Sequence, residues 1–345
     1  MKRRDLIKGL LAAPVVGVLG YPTVTLASEE SAPAPSAGTS PSGVPRLPWG
    51  YKELDPIEAF KRGYLGYMVD ECAGGAAWAI LSLLRDTMGY PYTLLPLPTF
   101  EEMVAARKAK KHIPVPMKYG CGGVEGYATL CGALNGAAFA IDWALGPHHA
   151  KPVIRRLFRW YETTAFPTDL GNQYAVEGKF PVKPKYPKSL PSVKCNSVLC
   201  HVVVSKWCTI TGFASGSKQR SERCARLTAA VAKKAVELMN AAIKGQLNSA
   251  FPFKLSQETA SCRVCHFKGK HYDKGNFARG FMACETCHVE DINAHVKAAP
   301  IDKAFGANLG TWMGAAAIGT AVGIGAHLIA TNIGKKGGSD EEDNG

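Results

Sequence analysis

SERCARLTAAVAKKAVELMNAAI, residues Ser221 to Ile243, is the stretch whose periodicity decides the fold class. Cys224, Leu227, Val231, Ala235, Leu238 and Ala242 recur at steps of three and four, which places them on one face of a helix. Ser221 is the expected cap, and Gly245 lies just beyond the end. Working outward, Cys72, Ala76, Ile80 and Leu83 form a similar amphipathic stripe with Cys72 in its first turn. Val124 to Leu145 carries only Glu125 and Asp142 as charges and predicts a buried helix containing Cys131, in which Gly132 and Gly136 admit a close neighbour. Each of these runs carries an inward cysteine. The expected architecture is mainly α: a helical cysteine-rich domain over 51–250, a loop-rich segment over 251–304 and an apolar C-terminal helix.

The loop-rich segment holds two C-x-x-C-H pentads, Cys262-Arg263-Val264-Cys265-His266 and Cys284-Glu285-Thr286-Cys287-His288. This is the attachment pattern of c-type haem, in which two thiols add to the vinyl groups and the following histidine ligates the iron. The four cysteines also read as C-x2-C-x18-C-x2-C, a spacing open to structural zinc. The histidine after each pair and an export signal favour haem, with two covalent haem c groups held by Cys262, Cys265, Cys284 and Cys287 and ligated by His266 and His288. His271 and His295 are the expected distal ligands; His201 and Met282 come after them.

The ends of the chain set the compartment. Residues 1–27 open with Lys2, Arg3 and Arg4, continue through an apolar stretch and end at Thr25-Leu26-Ala27, the pattern of a twin-arginine signal peptide; an ordinary secretory signal is the alternative. Residues 28–50 are Pro-, Ser- and Ala-rich and read as a disordered linker. Leu309 to Ile333 is uncharged and about 37 Å long as a helix, against a hydrocarbon core of about 30 Å. A transmembrane anchor is therefore expected within 305–336, with a buried Gly/Ala-rich helix as the alternative. Lys335 and Lys336 put the acidic tail, 337–345, on the cytoplasmic side and the main domain in the periplasm. The formal charge of +13, of which residues 1–27 supply +3, points in an exported protein to an acidic redox partner or a lipid surface, not to nucleic acid.

Seven of the eleven cysteines lie outside the pentads: Cys72, Cys121, Cys131, Cys195, Cys200, Cys208 and Cys224. An odd number cannot all pair within one chain. They are open to disulfides, packing or ligation of a soft metal centre, and twin-arginine export of folded proteins favours the last. The stretch Cys195 to Cys208 is open between helix and strand.

Cys131-Gly132-Ala133-Leu134-Asn135-Gly136 resembles the hexapeptide of the small redox family named for its C, GCAxxG, C, C cysteines, with Cys72, Cys200 and Cys224 resembling the others. Such a domain followed by two C-x-x-C-H sites is similar to the split-Soret cytochrome c family over about Asp55 to His295. The resemblance implies a homodimer, two haems per chain close together and an iron-sulfur cluster, 2Fe-2S or 4Fe-4S, held by Cys72, Cys131, Cys200 and Cys224. Extra thiols at Cys121, Cys195 and Cys208 depart from the pattern, and Cys121 and Cys208 are the alternative ligands. No paired carboxylates, phosphate loop or nucleophilic triad stand out, so the expected function is electron transfer between redox protein partners. Reduction of a small molecule at a haem or at the cluster is the competing expectation.

Overall fold

The computed structural model describes residues 45–266 and 280–288, with the isolated positions 43 and 278. The signal peptide, most of the linker, His271, His295, the C-terminal span and the acidic tail lie outside the described residues. The described part is mainly helical, with one two-residue antiparallel pair, β1 (Ala165–Phe166) against β2 (Val193–Lys194). Among the described residues no helix is long and apolar enough to cross a membrane.

Three long helices make the core: α1 (Pro56–Met88), α3 (Gly132–Thr163) and α6 (Lys218–Ile243), each packed on the other two. Asp55 caps α1 by accepting from the Ile57 amide at 2.8 Å, with Pro56 in the first turn. The helix α2 (Phe100–Ala109) begins with a capping box: Glu102 N donates to Thr99 Oγ1 at 3.1 Å, and Thr99 N to Glu102 Oε2 at 2.7 Å. Shorter helices, α4 (Asp169–Val176), α5 (Cys200–Thr211) and α7 (Leu247–Ala250), cover the core. The last, α8 (Gln257–Cys265), leads into the first pentad.

Each of the three sequence-predicted helices forms with altered limits. The cap of α6 is Ser217, whose hydroxyl accepts from Arg220 N at 3.1 Å, so Ser221 lies in the first turn. The periodic face is buried as expected, but Glu222 and Arg226 on another side are buried too. Arg226 Nε donates to Glu222 Oε1 at 3.0 Å and its remaining nitrogens to Asn172 Oδ1 and to the Tyr186 and Lys188 carbonyls. A buried pair is tolerated when every donor is matched in this way.

The stripe at Cys72 belongs to a helix buried on nearly every side from Ala73 to Leu84, so it is not amphipathic. The run from Val124 does not start a helix. Left-handed backbone at Gly122, Gly123, Val124, Glu125, Gly126 and Ala128 makes it a loop, and α3 opens only at Gly132. The ambiguous stretch from Cys195 resolves into a loop after β2 followed by α5. At the end of the Pro-rich segment, Trp49 is buried edge-on between Tyr92 and Trp143, and its amide donates to the Trp143 carbonyl at 3.2 Å.

Candidate functional site

The construction of the site begins with a break in α1. Asp70 and Glu71 leave helical geometry, Glu71 at φ 60°, so the chain restarts as a helix at Cys72 with a fresh N-terminus. Cys131 is the N-cap of α3 and Cys200 is the first residue of α5. Three helix beginnings thus bring a cysteine each, and Cys224 comes from the second turn of α6. The close approach has a visible cause in the hexapeptide. A Cβ on Gly132 would lie 2.4 Å from Cys72 Sγ, and one on Gly136 would lie 2.0 Å from the Ala73 carbonyl oxygen. Only glycine at both positions lets α3 rest against the restarted half of α1.

These residues line one cavity of about 370 Å³, together with Cys121, Tyr161, Lys118, Arg220 and Arg223. Helix N-termini carry partial positive charge, and the basic side chains add whole charges. Arg223 is 1 % exposed. Its Nη1 lies 3.9 Å from Cys224 Sγ, while Nε and Nη2 have no partner. The Tyr161 hydroxyl is likewise buried beside Cys131 without an oxygen or nitrogen partner.

A cavity with unmatched buried donors and five thiols fits an anionic, thiolate-ligated group. Among the described residues no three or more Cys, His, Asp or Glu side chains stand close enough to share one metal ion. A polynuclear centre, unlike a single ion, spreads its thiolate ligands over several irons. The same finding applies to the four pentad cysteines, which are not gathered as a zinc site.

The thiols are not equivalent. The hydrogen bond from Cys72 lowers Cys121 to about 7, helped by the Gly74 and Ala73 amides and Lys118. Cys72 itself is held well above the usual thiol range by that same hydrogen bond, then by burial and by the neighbouring cysteines. Burial raises Cys131, and burial with repulsion from Cys131 and Cys224 pushes Cys200 up to about 12. Of the two alternative ligands, Cys121 lines the cavity and Cys208 does not. Cys195 is buried outside the cavity lining, donating to the carbonyl of the lining residue Val203 at 3.6 Å.

The first pentad forms the end of α8 and the second a 3-10 turn (Cys284–Thr286), and each closes on its histidine. His266 N donates to the Cys262 carbonyl at 3.0 Å, and His288 N to the Cys284 carbonyl at 3.0 Å. The turn places both thiols and the histidine of each pentad on one side. Cys265 and Cys287 are exposed, so the thiols remain open to attachment. The turns adjoin: Cys284 N donates to Thr259 Oγ1 of α8 at 3.0 Å, and burial together with the nearby Cys284 raises the Cys262 thiol. Glu162 of α3 fixes the second pentad by accepting from Ala283 N at 2.9 Å. Of the other candidates, His201 is exposed on α5 and Met282 packs against the core.

Residues 99–238 match the family described as "Putative redox-active protein (C_GCAxxG_C_C)". A curated relative, split-Soret cytochrome c of Desulfovibrio desulfuricans, is 36 % identical over 292 residues, covering 83 % of this chain and 94 % of the relative. The chain belongs to the split-Soret cytochrome c family. A solved structure reported as a novel iron centre in the split-Soret cytochrome c of that organism aligns with a TM-score of 0.53 and 34 % identity. It covers 70 % of this chain and 90 % of the other. As a split-Soret cytochrome c homologue with a redox-active domain, the chain is a redox protein.

In this member of the split-Soret family, sequence reasoning named four of the five cavity cysteines as ligands and the fifth as a substitute. It missed Arg223, Tyr161 and Glu162. Arg220 and Arg223 precede Cys224 by four residues and by one, a basic pair visible in the sequence; nothing local marks Tyr161 or Glu162.

Proposed function

We propose that this protein is a periplasmic electron carrier that moves single electrons between an iron-sulfur centre, two covalent haems c and external redox proteins. Cys72, Cys131, Cys200 and Cys224 hold the centre, with Cys121 as the fifth thiol of the cavity. Cys262 and Cys265, and Cys284 and Cys287, attach the haems, whose irons are ligated by His266 and His288 and, on the far side, by His271 and His295. The chain is exported through a twin-arginine signal, tethered by its C-terminal helix and paired as a homodimer. The observation that carries this reading is the convergence of five thiols and three helix N-termini on one cavity, with Glu162, the residue after the cavity's Tyr161, anchoring a C-x-x-C-H turn. When bound, the centre and the haems supply one-electron chemistry. The protein's own residues supply positive charge to the cavity and hold the second pentad against α3.

The iron centre described for the related split-Soret cytochrome c structure supports a metal centre besides haem here. A second reading, reduction of a small molecule, is favoured by the volume of the cavity and the unmatched Arg223 donors within it. Spectroscopy and metal analysis on anaerobically prepared, membrane-extracted protein separate the readings. The carrier predicts two low-spin haems that survive denaturation and acid-acetone extraction, together with iron in excess of haem and acid-labile sulfide. A high-spin haem that binds carbon monoxide would replace the carrier with the reductase. A colourless, zinc-containing protein would end both.

A further inference from the structure

We infer that the second pentad, Cys284 to His288, is the point at which electrons pass between the cysteine cavity and the haem segment, and that Glu162 and Asn196 position it. This rests on the carrier reading above and adds an order to it: cavity, second pentad, first pentad. Tyr161 and Glu162 are neighbours on α3, and successive helical residues point about 100° apart. One peptide unit therefore presents a ring to the cavity and a carboxylate to the haem segment. Glu162 is 2 % exposed. Its Oε1 accepts from Ala283 N at 2.9 Å and its Oε2 from Arg159 Nη1 at 3.0 Å. The path from Cys131 runs through the adjacent Tyr161, along one peptide unit to Glu162, across one hydrogen bond to Ala283 and along one more peptide unit to Cys284.

A second path is built independently. Asn196, held at φ 55°, accepts at its carbonyl from Thr286 Oγ1. Asn196 lies four residues before Cys200, and Thr286 is bonded to Cys287. Each attachment thiol of the second pentad is thus linked to a cavity cysteine through a short chain with one hydrogen-bonded step to the pentad. The first pentad is joined at one further remove, through Thr259 Oγ1, which accepts from Cys284 N and donates to Glu285 Oε2 at 3.0 Å. Electron transfer weakens steeply with through-space gaps, so a covalent and hydrogen-bonded route selects the second pentad. With both groups bound, one electron would leave the cavity side and be taken up by the haem that Cys284, Cys287 and His288 would hold. No bond forms or breaks, no proton moves, and the reverse step balances in the same way.

The test uses full-length, cofactor-replete protein, with electrons injected photochemically into the haems and the transfer to the cavity centre followed optically. Combining Glu162→Ala with Thr286→Val should slow that transfer several-fold. Haem and sulfide content should stay at wild-type levels. Glu162→Gln keeps an acceptor for Ala283 N and should keep the wild-type rate. An unchanged rate in the double variant, or a Glu162→Gln as slow as the alanine variant, overturns the inference.

A second measurement covers loss of cofactor in the double variant. Removing one attachment site at a time reads the order directly: transfer to the cavity centre should be faster in Cys262→Ser/Cys265→Ser, which leaves only the second pentad, than in Cys284→Ser/Cys287→Ser, which leaves only the first; the reverse overturns the order. Wild-type protein without iron beyond haem would sink the carrier reading and this inference together, whereas iron present with an indifferent double variant sinks only the inference.

Discussion

Arg223 is the residue that most constrains what the cavity holds. A fully buried guanidinium with two unmatched nitrogens costs several kcal/mol unless an anion faces it. Replacing it by methionine should make the metal-free fold more stable by about 1–3 kcal/mol, read as a shift in denaturant midpoint. In the loaded protein the same change removes a cation that favours the reduced, more negative state. The reduction potential of the cavity centre should then fall by roughly 50–100 mV, where about 59 mV is tenfold in a one-electron equilibrium, and redox titration would show it. Cysteine replacements give a sharper division. Serine at Cys72, Cys131, Cys200 or Cys224 should abolish iron beyond haem, whereas serine at Cys195 or Cys208, outside the cavity lining, should leave the iron-to-haem ratio unchanged. That division was half legible beforehand. The hexapeptide and the helical stripes named the four principal thiols, but the inclusion of Cys121 and exclusion of Cys208 depend on how a left-handed loop folds over the break in α1.

At the scale of the element, the site is a matter of where helices begin. The break at Asp70 and Glu71 turns the middle of one helix into an N-terminus, and the run of positive φ after Cys121 delays α3 until Cys131 can cap it. Neither event follows from apolar periodicity, which continues through both places. Asp70 is buried at the break against His112 and Lys118, an ion-paired cluster separated widely in the sequence. The helix contact that follows is close enough for Gly136→Ala to be a strong test. The new methyl would collide with the Ala73 carbonyl, backbone against backbone, so α3 must shift away from α1. A loss of about 1–3 kcal/mol is expected from such overpacking, with a lower melting temperature and reduced iron retention, since Cys131 would move with the helix. Alanine at Gly216, where a Cβ meets nothing within 4 Å, is the matched control.

For the whole molecule, metal binding and folding should be linked, because the thiols come from α1, the loop at Cys121, α3, α5 and α6. Removing the iron with a chelator under anaerobic conditions should lower the melting temperature, by about 2–4 °C for each kcal/mol of linkage lost at this chain size. It should also expose the cavity thiols to alkylation; equal melting with and without iron would show that the helical core holds the cavity open unaided. The sequence by itself determined the helical class, the two pentads and their turn, and most of the cysteine set, because i to i+4 periodicity and C-x-x-C-H chemistry act over a few residues. Only the tertiary structure decided that five thiols share one cavity, that Arg223 enters it with two nitrogens unmatched, and that Glu162, next to the cavity residue Tyr161, holds the second pentad. Those facts depend on contacts between residues up to about 150 positions apart, and on positive-φ backbone at Glu71, Val124, Glu125 and Ala128 that packing imposes beside glycines that adopt it readily.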